Sequence, residues 1–230
     1  MKNKKQTLIH EKLEIALLLT ATGGFMDSYS YLTHGARFAS LQSGNVILMA
    51  VHLIRGEFSQ GCIYLFPIVA FTIGSGVSFL LKNFARKRRF PSHRFNLFIE
   101  FVGITCISLL VNFLPNNLFI SILAFFAAIQ ADTFTKLRGM PYANIMTTGN
   151  IRTMGSMLIG GFLSKDSEMI LKGRNAFFVV VSFFAGALIS GLVVPLLGNF
   201  AILGASLVLM IVFLILQKER CFTLQGSVYK

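Results

Sequence analysis

The chain has 230 residues, of which 54% are hydrophobic and 13% charged, and its mean hydropathy is +0.70. Soluble domains are nearer a quarter charged, so this composition excludes an ordinary soluble globular protein. The net charge of +12 sits in Lys and Arg clusters beside apolar runs, where it acts as a topology signal and not as a stripe for gripping nucleic acid.

In chain order, a Lys-rich start leads into a first apolar run at 13–32. No Ala-x-Ala-like cleavage site follows, and polar residues soon interrupt it, so it reads as an uncleaved membrane helix and not a signal peptide. Further runs fall at 62–81, 95–114, 118–137, 176–197 and 200–216. Each is near the roughly 20 residues needed to cross the hydrocarbon core. Two more segments, 37–54 and 142–162, are ambiguous: each has Gly, Asn, Ser or Thr at its centre, and the second also carries Arg152. Cys62, Cys106 and Cys221 are too far apart in sequence to suggest a disulfide framework or a metal site.

Basic residues arbitrate the two ambiguous segments. If both cross, with the N-terminus inside, 11 Lys and Arg fall inside and 9 outside, and the block 82–94 is exported. If each returns to the face it left, 19 fall inside and only Arg37 and Arg55 outside. The expectation is an all-α polytopic membrane protein forming one membrane domain over 1–230. It has six spans, two re-entrant or broken segments and both termini cytoplasmic.

A shift of 105 residues aligns the two odd segments without a gap. Over 27–56 against 132–161, eight of 30 positions are identical, among them Asp27/Asp132, Gly44/Gly149 and Asn45/Asn150. Such self-similarity sets the architecture. Repeat one covers about 13–114 and repeat two about 118–216. Each holds three spans plus one broken segment, and because three is odd the second copy must be inverted. Inverted repeats with interrupted helices recur in transporters, with the site near the midplane at the repeat interface.

An Asp late in the first helix, an (S/T)-G-N turn 17 residues on, and a weaker second copy of both resemble the YoaK family of small bacterial membrane proteins with a domain of unknown function. The resemblance covers about 16–217. The first copy has Ser43 where Thr is expected; the second has the full Thr147-Thr148-Gly149-Asn150. The resemblance implies a six-span protein of the bacterial inner (plasma) membrane, and no defined activity comes with it.

The candidate site is built from these repeats. Ser43-Gly44-Asn45 and Thr148-Gly149-Asn150 each suit the start of a half-helix of about 10 residues, whose free N–H groups favour an anion or dipolar solute. The alternative reading is that they only cap their own helices, because a buried helix end must be capped in any case. Asp27 and Asp132 are either solute- or proton-coupling acids or latches on the turns. Arg152 is read as an anion ligand or as a partner of Asp132 or Asp27. Gln130 is read as a pathway residue or a helix–helix hydrogen bond. Glu100 is expected at an interface, snorkelling, and His34 at the outer surface. Gly74, Gly76, Gly186 and Gly191 are expected at close helix contacts.

The leading expectation is a small-solute transporter or channel that is not an enzyme and uses no cofactor or metal. Its partners are the lipid bilayer and a small polar or anionic solute; nucleic acid is excluded and an oligomer is compatible. The alternative is a non-transporting scaffold or accessory subunit. An intramembrane enzyme using Asp27, His34 and Ser43 ranks below both.

Overall fold

The computed structural model describes residues 8–88 and 90–226. Lys2, Lys4, Lys5, Arg89 and Lys230, which enter the charge argument, lie outside them. A 3₁₀ turn at Ile9–Glu11 leads into α1 (Leu13–Thr33), a corner at 34–41 and α2 (Gln42–Ile54). A short α3 (Phe58–Cys62) precedes α4 (Leu65–Lys87), α5 (Ser92–Leu109) and α6 (Asn116–Thr133). A second corner precedes α7 (Thr147–Ser164), α8 (Ser167–Leu197), a 3₁₀ turn and α9 (Leu203–Gly226).

The breaks follow from local chemistry. Pro91 and Pro115 sit immediately before α5 and α6, since proline can open a helix but not continue one. Lys165 ends α7 in the left-handed region at φ 54°, and the Asp166 carboxylate then accepts from the N–H groups of Glu168 and Met169 to start α8. The run expected to stay helical to residue 137 stops at Thr133. There β1 (Lys136–Leu137) and β2 (Met140–Pro141) form a small hairpin. Its two turn residues, Arg138 and Gly139, both have positive φ, as a tight two-residue hairpin requires. The turn is tethered by Arg138 N–H and Gly139 N–H, which donate to the carbonyl and carboxylate of Glu11.

The structure adds to the expected lengths. The helix that contains the apolar run 176–197 begins earlier, at Ser167, and α8 runs 31 residues, about 46 Å. The broken segments are also longer than about 10 residues: α2 has 13 and α7 has 18.

Side-chain registers fix the helix directions. The Tyr29 ring lies tilted against Phe119, while Leu19 O accepts from Gln130, so α1 and α6 run antiparallel. Ser182 donates to Leu17 O, and Gly186 abuts Ala21 while Gly24 abuts Phe183 and Ala187, so α1 and α8 run parallel. Gly74 lies against Phe125 and Ala128, and Lys82 donates to Asp132 O, so α4 and α6 run parallel. Besides these pairs, α7 lies on α8, α5 on α6, and α9 on both α5 and α1.

The usual distribution of polarity is reversed. Phe79, Leu80, Phe184, Leu192 and Leu196 are all more than 60% exposed, whereas Asn45, Asn96, Glu100 and Gln130 are completely buried. A chain in water hides the first set and shows the second. Two stretches, Phe58–Lys87 and Ser167–Gln217, are long and apolar enough to cross a membrane.

Candidate functional site

The two corners are built alike. In the first, Phe38 N–H donates to Asn45 Oδ1 at 2.9 Å, and Asn45 Nδ2 donates to Phe38 O at 2.8 Å and to Gln42 Oε1 at 2.9 Å. In the second, Ala143 N–H donates to Asn150 Oδ1 at 3.4 Å, and Asn150 Nδ2 donates to Ala143 O at 2.6 Å and Met146 O at 3.0 Å. Each Asn therefore mimics a strand partner for the residue seven positions before it. An amide side chain suits this because it carries a donor and an acceptor side by side. Gly44 belongs to the clasp: a Cβ there would lie 2.9 Å from the Phe38 ring. Gly149 has open space around it and no such duty.

The corners meet. The Ser40 hydroxyl donates to Asp27 Oδ2 at 2.6 Å and lies 3.2 Å from Ile145 O. Ser40 N–H donates to Asp27 Oδ1 at 2.6 Å. Beside this crossing lie two clefts. One, of about 220 Å³, is lined by Ser40, Leu41, Gln42 and Ser43 at the start of α2, with Ile68, Phe71 and Thr72 of α4 and Met146 from the other corner. The second, of about 460 Å³, is lined by Ile145, Thr147 and Thr148 at the start of α7, with Val180, Phe183, Phe184 and Ala187 of α8 and Leu41 from the first corner. Both walls are mostly apolar, and the N-terminal turn of one helix supplies the polar edge of each.

A scan against family models matches residues 15–215 to the family described as "Protein of unknown function (DUF1275)". The chain belongs to the DUF1275 family. This is the uncharacterised YoaK-type membrane family, and the match extends over most of the chain. No curated protein and no solved structure matches the chain.

In this DUF1275 protein the site residues named from sequence divide into groups. Asp27, Ser43, Gly44, Asn45, Thr148, Gly149 and Asn150 gather around the crossing, but Asn45, Asn150 and Asp27 are buried and engaged by their own corners. Ser43 and Thr148 face the clefts. Gln130 is buried, donates to Leu19 O at 2.9 Å, and joins α6 to α1. Asp132 departs from its counterpart: it is half-buried and accepts from the Ser75 hydroxyl of α4 at 2.8 Å. Arg152 is exposed and, among the described residues, pairs with neither Asp27 nor Asp132, which corrects the expected ion pair.

Two further placements are corrected. Glu100 does not snorkel; it is completely buried in α5. His34 is 2% exposed, stacked on Phe119 with its Nδ1 2.6 Å from Thr33 Oγ1. Burial, and secondarily the nearby Arg37 guanidinium, pushes the His34 imidazole down to about 4. Arg37 is itself buried, donating to His34 O and to Asn117 Oδ1. Sequence reasoning overlooked Ser40 and Asn144. Asn144 Nδ2 donates to Gln130 O and Phe134 O and so holds the second corner against α6. Ser40 lies 13 residues after Asp27, and the aligned position is Ile145, so the repeat pattern carried no signal for it. Among the described residues no three His, Cys, Asp or Glu side chains group as a metal site.

Proposed function

We propose that this protein is a small-solute transporter or channel of the bacterial inner membrane, built from two inverted repeats, with its pathway through the two clefts. The observation that carries the reading is the crossing at Ser40 and Ile145, where α2 and α7 begin side by side and each opens a cleft at its N-terminal turn. Free N–H groups and the partial positive charge at a helix start favour small anionic or dipolar solutes.

Several observations support the repeat. Ser40 and Ile145 are 105 residues apart, so equivalent positions touch each other, as they do next to a two-fold axis. The two Asn clasps use equivalent backbone groups, Phe38 and Ala143. The pairing of α1 with α8 corresponds under the same shift to that of α6 with α4, and α9 on α1 corresponds to α5 on α6. Opposite directions of α1 and α4 leave α2 between them as a segment that returns to its own face. Opposite directions of α6 and α8 do the same for α7. This favours six crossings with both termini cytoplasmic. Non-helical backbone at membrane depth is tolerated where protein or a water-filled cavity covers it, which suits corners packed on each other beside clefts.

The scaffold reading has one observation in its favour: Asp27, Asn45 and Asn150 are consumed within the corners, as latches would be. An enzyme is disfavoured because Asp27, His34 and Ser43 do not converge. Asp27 holds Ser40, His34 lies on Phe119, and Ser43 faces a cleft.

Proteoliposomes test the transport reading, using swelling and uptake with a panel of small neutral and anionic solutes. Ser43→Trp and Thr148→Trp fill the clefts without touching the clasps. The expected result is a solute that enters faster than in empty liposomes and is blocked by either substitution. Entry no faster than in empty liposomes across the panel, or entry indifferent to both substitutions, rejects the pathway.

A further inference from the structure

A second polar centre lies away from the clefts. Glu100 is completely buried on α5, and neither carboxylate oxygen has a hydrogen-bond partner among the described residues. One turn earlier, Asn96 donates through Nδ2 to Thr133 Oγ1 of α6 at 2.9 Å, which leaves its Oδ1 without a partner. One turn later, Gly103 lies against the Phe126 ring. These two contacts fix the antiparallel register of α5 on α6 and place Glu100 opposite residues 129–130. Gln130 commits its Nε2 to Leu19 O, and its Oε1 is likewise unpartnered. Thr20 is next to Leu19 in α1, 1% exposed, and its hydroxyl has no partner. Thr20, Glu100 and Gln130 therefore sit at one depth on three packed helices, with Asn96 a turn away.

The amides decide the chemistry. Both engage their N–H₂ ends elsewhere, which leaves an oxygen of each unpartnered at this depth. A carboxylate and two amide oxygens outnumber the donors at hand, which are the Thr20 hydroxyl and the second N–H of Asn96. A buried carboxylate is very costly unless paired or bound to a metal. A proton on Glu100 would supply one donor and leave acceptors still unpartnered. One hard cation serves all of them, since such ions take carboxylate and carbonyl oxygens. A single carboxylate balances a single positive charge; a divalent ion would leave charge uncancelled among Leu97, Ile104 and Ile129, which are fully buried.

We propose that Glu100, Asn96, Gln130 and Thr20 form a buried site for a monovalent hard cation, with sodium as the probe. The site stands independently of whether the clefts carry a solute. The test is thermal unfolding of the full chain in detergent at fixed pH and ionic strength, with sodium chloride exchanged against choline chloride. The expected result is a saturable, sodium-specific rise in Tm on the order of 3–10 °C. Glu100→Gln keeps the shape and removes the charge. It is expected to fold, to be at least as stable as wild type without sodium, and to lose the sodium response. Thr20→Val is expected to keep the response but raise the half-saturating sodium concentration several-fold. A wild-type Tm indifferent to sodium over choline means a proton alone occupies Glu100 and overturns the proposal. A sodium response that survives in Glu100→Gln overturns it too. If Glu100→Gln fails to fold, the Thr20→Val midpoint decides: an unchanged midpoint counts against the site.

Discussion

The two corners share a sequence motif and differ in what surrounds it. Both keep the Asn clasp on the residue seven before it, with donor and acceptor used alike. The aspartates that precede them by the same interval have diverged. Asp27 is 5% exposed and grips Ser40 through both carboxylate oxygens. The position matching Ser40 is Ile145, which has no hydroxyl to offer Asp132. That aspartate turns instead to Ser75, and Asn144 takes over the holding of the second corner. The clasp is therefore what a broken helix start requires, and the aspartate is one of two ways to fasten the corner to its parent helix.

This difference predicts unequal costs for the same substitution. Asp27→Ala strands the Ser40 N–H in the core, leaves its hydroxyl only Ile145 O, and should cost about 3–5 kcal/mol, since two hydrogen bonds to a charged group are lost at about 1.5–3 kcal/mol each. Asp132→Ala, half-exposed and with one side-chain partner, should cost below about 1 kcal/mol. Reversible unfolding in mixed micelles measures both. Equal costs would mean that the second aspartate bears the same duty, and the comparison would fail.

The paired helices differ between copies as well. Where α1 meets α8, a Cβ on Gly24 would lie 2.0 Å from Phe183 O, and one on Gly186 would lie 2.0 Å from Ala21 O. Where α4 meets α6, a single glycine, Gly74, makes the approach, at 2.4 Å from Phe125 O. The obstructing atoms are backbone, so the helices must separate. Gly24→Ala is expected to cost about 3 kcal/mol, at the top of the overpacking range. Gly191→Ala, with nothing near its Cβ, should gain about 0.5–1 kcal/mol from helix propensity. Melting temperatures of the two variants should move in opposite directions; a shared direction would mean close approach is not what these glycines provide.

The clasps themselves sharpen the comparison at smaller scale. Asn45→Ala removes three bonds of 2.9 Å or shorter and is expected to cost about 2 kcal/mol. Asn150→Ala removes a set in which the incoming N–H is 3.4 Å away, so about 1 kcal/mol is expected. Hydrogen exchange at the amides of Phe38 and Ala143 reads each clasp directly, and protection should fall further at Phe38. Equal protection in the two variants would show that the longer bond is as strong as the shorter.

Much of this was legible in the sequence, for reasons that also mark where legibility stops. Gly-Asn pairs 105 residues apart announce two broken helix starts because few residues can end a corner and open a helix. Lys and Arg distribution favours a proposal in which both segments return over one in which both cross. The partner of a buried side chain is another matter. "FNLFIEFVGIT" does not say which face of α5 meets α6, so Glu100 passes for an interfacial residue until the Asn96–Thr133 bond sets the register. Gly76 and Gly191 look like Gly74 and Gly186 in sequence, but they have open space at their Cβ positions. His34 follows the last turn of α1, yet Arg37 and Phe119 close over it from a fold that brings α6 alongside. Arg152, next to the motif in sequence, is exposed.

The smallest effect separates the corners by pH. His34 is held neutral in the first corner, with Arg37 beside it and Thr33, Tyr29 and Phe119 around it. The second corner has Gly139 at the matching position and no such group. The folded value of about 4 lies below the unfolded value of about 6.5, so the unfolded chain takes up the proton first. The stabilisation is therefore complete above about pH 6.5, and it is lost as pH falls toward 4. The loss should be about 1–2 kcal/mol, less than the depression alone implies, because the corner at 34–41 can open locally and hydrate the ring. In His34→Gln the ring no longer titrates, and stability across that window should flatten relative to wild type. If the variant declines as steeply as wild type between pH 6.5 and 4, the acid sensitivity belongs to a carboxyl elsewhere and His34 is only a packing residue.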